Sequence, residues 1–148
     1  MATRIINLKG PARWAKVFED NRDMRGYEDA FVDCEGAYTI EVGLDDAQLQ
    51  TLKDAGSMKK GTAKGDGLTW VKFTRKHKDR FDWSSGAPKV EDASGGEWSF
   101  ELDGAIGNDS EVEVTVSVYD TSRPRIKGTR LDKVTVIRLQ EQEEKAPF

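Results

Sequence analysis

At 148 residues the chain has the length of one domain that can bury about two-thirds of its unfolded surface. Its apolar fraction, 36%, is low and its charged fraction, 34%, is high, as in a small folded body with polar loops or a loose end. A net charge of −4 argues against a uniformly basic nucleic-acid binder, and one cysteine with one histidine, Cys34 and His77, can build neither an internal disulfide nor a Cys/His zinc cluster. No apolar run approaches the ~20 residues of a membrane span. The start, Met1-Ala2-Thr3-Arg4-Ile5-Ile6, has no signal-peptide core, so a cytoplasmic setting without metal or cofactor is expected.

Residues 3–9 alternate weakly and read as a short strand or arm that Gly10-Pro11 breaks. Residues 13–18 resume the alternation, with Trp14, Lys16 and Phe18 on one face and Arg13, Ala15 and Val17 on the other. Glu19 to Asp29 is a mixed-charge loop. Gly36 to Gly43 is a second strand, with Tyr38, Ile40 and Val42 on its apolar side. A short helix follows: Asp45 can cap it, Gln48 stands three residues on, Leu49 and Leu52 give an apolar side, and Gly56 stops it. Gly56 to Gly67 is a basic, glycine-rich loop. Its GxxxxG spacing is not followed by Lys-Ser/Thr, so it is not a phosphate-binding P-loop.

Residues 67–80 carry the most informative pattern. Val71 and Phe73 fall on one side, with Arg75 following, and Trp70, Lys72, Thr74 and Lys76 fall on the other. A flat ring beside ammonium groups at strand spacing suits a nucleobase next to a phosphate. Phe81 and Trp83 come next, then a polar loop from Ser84 to Gly96. Trp98, Phe100 and Leu102 alternate as a further strand, and Trp83 and Trp98 are expected to pack in core or loop. Glu111 to Tyr119 is the most regular strand: Val112, Val114, Val116 and Val118 line one face, with Tyr119 on the other. Arg123-Pro124-Arg125 is a basic turn, and Leu131 to Leu139 is a last, central strand. Five or more strands with one short helix after the second predict a mainly β fold, a small five-stranded OB-type barrel over residues 1–139. A β-sandwich is the alternative, as a virion or binding protein contacting protein or sugar.

The charges are sorted. Lys72 to Arg80 and Arg123 to Lys133 each hold five basic residues and one acid, whereas Glu91 to Glu113 holds eight acids and no base. A fold that brings the basic blocks together would form a groove for single-stranded nucleic acid. Trp14, Trp70 and Tyr119 are the stacking candidates. Lys16, Lys72, Arg75, Lys76, Lys78, Arg123, Arg125 and Lys127 are the phosphate candidates. No carboxylate set beside the basic strand suits metal-dependent nuclease chemistry, so no enzyme is expected. Residues 140–148 are acidic, without an apolar face before the last residue, and read as a flexible tail.

The segments Gly36-Ala37-Tyr38-Thr39-Ile40-Glu41-Val42, Ser110-Glu111-Val112-Glu113-Val114-Thr115-Val116 and Gly128 to Leu139 carry a resemblance. The layout resembles the single-stranded-DNA-binding proteins of tailed bacteriophages, the OB-fold group of short-tailed phages. The ending is similar too, since members often finish in acidic residues and a terminal Phe; this tail is shorter and Lys145 interrupts it. The resemblance implies binding and protection of single strands in support of replication, recombination and annealing. It also implies contact with replication or recombination proteins through Glu143, Glu144, Pro147 and Phe148.

Overall fold

The computed structural model describes residues 3–26, 30–78, 85–99, 104, 106–121, 123 and 125–139. Seven strands form one sheet: β1 (Thr3–Lys16), β2 (Ala37–Leu44), β3 (Thr62–Ala63), β4 (Thr69–Lys76), β5 (Lys89–Asp92), β6 (Ser110–Asp120) and β7 (Lys127–Arg138). Their order is β3-β4-β2-β1-β6-β7-β5. The helix α1 (Asp46–Asp54) follows β2, as expected. β4 and β7 also lie against each other, and Arg75 of β4 donates to the carbonyl of Leu131 on β7 at 3.4 Å. The sheet therefore curls on itself as an OB-type barrel of five main strands, β1, β2, β4, β6 and β7, rather than splitting into the two stacked sheets of a sandwich. Two short strands, β3 and β5, flank them.

The expected break at Gly10-Pro11 is not a break. β1 pairs with β6 from Thr3 to Ala12 and with β2 from Ala12 onward. Gly10 and Pro11 stand where the strand passes from one partner to the other. There the backbones meet so closely that a Cβ on Gly10 would lie 2.0 Å from the Gly43 carbonyl oxygen. Glycine fits that approach, and proline sits before the β2 ladder begins, where its missing N–H breaks no bond to that strand.

Alternation fills the core from both sides. Ile40 and Val42 of β2, Val71 and Phe73 of β4, and Val112, Val114 and Val116 of β6 are all completely buried. β7 departs from simple alternation because its pairing with β6 shifts between Thr115 and Val116. The extra residue, Asp132, lets Leu131 and Val134 face the same core although they are three apart. The expected strand from Trp98 is instead a loop at Trp98 and Ser99, and Phe100 and Leu102 lie outside the described residues, as do Phe81 and Trp83. The strands missed in the sequence are β3, inside the stretch read as a glycine-rich loop, and β5, which runs parallel to β7. Trp98 packs against the core, its indole N–H donating to the Gly104 carbonyl at 2.9 Å.

The helix forms where its cap was read. Asp45 Oδ1 accepts from Gln48 N at 2.8 Å, and Leu52 is buried. Gln48 turns its side chain outward to accept from Lys9 N at 2.9 Å, and Arg4 donates to the Asp54 carbonyl at 3.0 Å. These bonds tie the helix to β1. No helix among the described residues is long and apolar enough to cross a membrane.

Candidate nucleic-acid interface

In OB folds the face of the second and third barrel strands, with the loops joining strands one to two and four to five, holds oligonucleotides. Here that face belongs to β2 and β4, and the loops are residues 17–36 and 121–126. Register places Ala37, Thr39, Glu41 and Gly43 of β2 opposite Lys76, Thr74, Lys72 and Trp70 of β4. Alongside runs the end of β1, whose pairing shifts between Arg13 and Lys16. The shift puts Trp14 at a φ of 54° and leaves its ring 59% exposed. A loop holds this irregularity: Asn108 Oδ1 accepts from Trp14 N at 2.9 Å, and Asp109 Oδ1 accepts from Arg13 Nε at 3.2 Å.

Trp14, Lys16, Asp23, Thr39, Glu41 and Lys72 line an open cleft of about 210 Å³. Its ammonium groups come from β1 and β4, and its exposed ring from the β1 irregularity. The Lys72 ammonium also lies 6.0 Å from the centre of the Phe31 ring, which the connection between β1 and β2 brings to the same face. Two carboxylates border the cleft. Glu41 Oε1 is paired with Lys64 at 3.1 Å. Burial works to raise the pKa of Asp23, but the N–H groups of Gly26 and Arg25 and the charges of Lys16 and Lys72 outweigh it and hold the carboxyl below its usual range.

Other candidates sit elsewhere. Trp70 lies on the expected face but is 3% exposed. Arg13 covers its ring at 4.4 Å, Lys64 stands 5.4 Å from its centre, and its indole N–H donates to Asp66 Oδ2 at 2.9 Å. The ring is thus not open for a base, which corrects its reading as a stacking surface. Arg75 is corrected likewise: its guanidinium donates to the carbonyls of Gly86 at 2.9 Å and Ser85 at 3.1 Å and pairs with Asp132 at 3.4 Å. It joins β4 to β7 and to the following loop instead of facing outward. Lys76 is exposed at the end of β4, and Lys78 is paired with Glu35 at 2.7 Å.

Tyr119, Arg123, Arg125 and Lys127 gather at the β6–β7 turn, beside the start of β1 rather than its end. Tyr119 lies over Gly128, its opposite number on β7, with the Arg130 guanidinium 5.5 Å from its ring. Lys127 pairs with Asp120. Arg123 and Arg125 are exposed. Tail residues Glu143, Glu144, Pro147 and Phe148 lie outside the described residues. Phe31, Arg13 and Lys64 were not singled out in the sequence. The rings and cations of the face come from segments far apart, and only the fold joins them. Among the described residues no group of three or more His, Cys, Asp or Glu gathers where a metal ion could be held.

The fold is similar to that of gp2.5, a single-stranded DNA binding protein encoded by bacteriophage T7. The TM-score is 0.61 at 16% identity, over 100% of this chain and 99% of that one. It is similar also to the single-stranded DNA-binding protein from bacteriophage Enc34 in complex with ssDNA, with TM-score 0.60 and 13% identity over 93% of this chain and 88% of that one. A C-terminal truncation of the Enc34 protein gives TM-score 0.60 and 14% identity over 94% and 88%. No protein-family model and no curated protein matches the sequence. The chain has the OB-type fold of these phage proteins, as the resemblance in its sequence implied.

Proposed function

We propose that the protein binds single-stranded DNA without regard to sequence and protects it in support of phage DNA replication and recombination. The observation that carries this reading is the cleft where exposed Trp14 meets the ammonium groups of Lys16 and Lys72 on the β2–β4 face. A base stacks on the Trp14 ring, and stacking needs only a π-face, so sequence matters little. Lys16, Lys72 and Lys76 hold backbone phosphates. Tyr119, Arg123, Arg125 and Lys127 extend the contact at the turn joining the fourth and fifth barrel strands. The acidic tail, with Glu143, Glu144, Pro147 and Phe148, recruits replication or recombination proteins. The Enc34 protein, which shares the fold, was solved in complex with ssDNA, and that supports the assignment of ligand.

The test is fluorescence anisotropy with a labelled oligonucleotide of ~30 nucleotides at low salt. Binding that weakens steeply with salt, together with quenching of Trp fluorescence, is the expected result. No binding at low salt, where the electrostatic attraction is strongest, would remove the proposal.

A further inference from the structure

The cleft has a second ring beside it. Phe31 lies on the connection between β1 and β2, and its side chain is half-buried. The exposed Lys72, which lines the cleft with Trp14, holds its ammonium over the Phe31 ring, 6.0 Å from the centre. Lys72 is thus shared by two rings, one from the end of β1 and one from the loop that follows it.

The Phe31 ring is mounted on backbone. A Cβ on Gly26 would lie 2.5 Å from Cδ2 of Phe31, and 2.8 and 2.9 Å from Cε2 and Cγ, the two carbons bonded to it. A point above a ring carbon is only slightly farther from that carbon's neighbours, whereas a point beyond the ring's edge is much farther. Gly26 therefore lies against a face of the ring, in a close approach that a side chain would obstruct, and at a φ of 69° that glycine adopts freely. Gly26 N and Arg25 N both donate to Asp23 Oδ1, at 2.9 and 3.1 Å. Asp23 is bridged to Ala37 of β2, its N–H donating to the Ala37 carbonyl at 2.9 Å and its carbonyl accepting from Ala37 N at 2.8 Å. Phe31 N donates to the Arg25 carbonyl at 2.8 Å, and Gly36 N to the Phe31 carbonyl at 2.9 Å. These bonds run from β2 out to the ring and fix it beside the cleft before any ligand arrives, so that binding costs it little freedom. They also account for a carboxylate among the lysines of a cleft meant for phosphates: Asp23 holds the turn on which Phe31 rests.

We propose that Phe31 stacks a second base of the single strand, on the far side of the phosphate at Lys72 from the base on Trp14. This rests on the reading of that face as a single-strand binding surface. It adds a stacking residue from the loop between β1 and β2, where a mounted ring beside a cation suits a base next to a phosphate.

The experiment compares the full chain with F31A, F31L, F31W and the exposed neighbour variant V32A on a labelled ~30-nucleotide poly-dT, titrated with salt. Leucine keeps apolar bulk without a π-face, and tryptophan keeps the π-face. F31A and F31L should each weaken binding roughly fivefold to over a hundredfold, while F31W and V32A bind at least about as well as the parent. The salt slope should stay at the parent value throughout, because no phosphate contact is lost. A second readout follows the ring itself. W14F should show less quenching of Trp fluorescence by poly-dT than the parent, and F31W added to W14F should restore it. These chains keep a ring at both positions, so the reading holds even if F31A folds poorly. An F31L chain that binds like the parent, an equal loss in V32A, or no restored quenching in W14F/F31W would overturn the second stack and leave the face reading intact. A parent chain that fails to bind the oligonucleotide would overturn the face reading itself.

Discussion

Trp14 and Trp70 show what a single side chain owes to its surroundings. Both alternate with apolar residues in strand-like stretches, and period two assigns each a face. It says nothing of what comes to lie on that face. Arg13, Lys64 and Asp66 cover Trp70, two of them from the glycine-rich loop, and leave it 3% exposed. Trp14 sits on an irregular turn of backbone with its ring 59% exposed. The two should therefore separate in experiment. W14A should weaken oligonucleotide binding by about 1–3 kcal/mol, roughly fivefold to over a hundredfold, with little change in melting temperature. W70A should cost about 3–5 kcal/mol of stability, seen in urea unfolding, because a buried indole is removed. The reverse pattern would mean that Trp70, not Trp14, carries the stack.

Among the elements, those defined by alternation or by a cap are legible from the residues. β6 shows four valines at period two, β4 shows Val71 and Phe73 against Lys72 and Thr74, and α1 shows Asp45 ahead of Gln48. What alternation cannot show is where a strand changes partner. Gly10-Pro11 is read as punctuation because it usually is, yet here it lets β1 serve both β6 and β2. β5 was hidden for a related reason: Lys89-Val90-Glu91-Asp92 is too short and charged to stand out, and its pairing with β7 is decided by distant residues. The crossing at Gly10 yields a sharp expectation. In G10A the new methyl would stand 2.0 Å from a backbone oxygen, so the strand must move rather than a side chain. A loss of about 3 kcal/mol or more in denaturant unfolding is expected, several times the ~1 kcal/mol that a typical point mutation costs. The site was half legible for the same reason. Lys16 and Lys72 could be named, but their meeting across β1, β2 and β4 could not.

For the whole molecule, several acids are taken up in ion pairs that tie the strands together, while Asp23 and Glu41 border the cleft. Glu91 pairs with Lys133 at 3.0 Å and Lys89 at 3.7 Å, Glu113 with Lys9 at 3.7 Å, and Asp109 with Arg13 at 3.2 Å. The Lys133 hydrogen bond leads the causes that hold the Glu91 pKa down; for Asp66 it is the Trp70 indole, and for Asp92 the Ser94 side chain. A carboxyl whose folded pKa is depressed adds stability above its unfolded value, near 4, and loses it as pH falls through the folded value. The protein should therefore hold its melting temperature from about pH 7 to 5 and lose it progressively below about pH 4, with E91Q flattening part of that fall. Lys16, Lys72 and Lys76, by contrast, form no ion pair among the described residues. Exposed charges beyond a screening length of ~10 Å at 0.1 M salt matter little to one another, so a net charge of −4 does not forbid a locally cationic face. If these three lysines each meet a phosphate, log K should fall with log salt at a slope of about −2. The pair K16M/K72M should bring that slope to about −0.7. E113K, which raises the net charge without touching the cleft, should leave it nearly unchanged. A slope that follows net charge instead of the cleft lysines would assign the attraction to the molecule at large and not to this face.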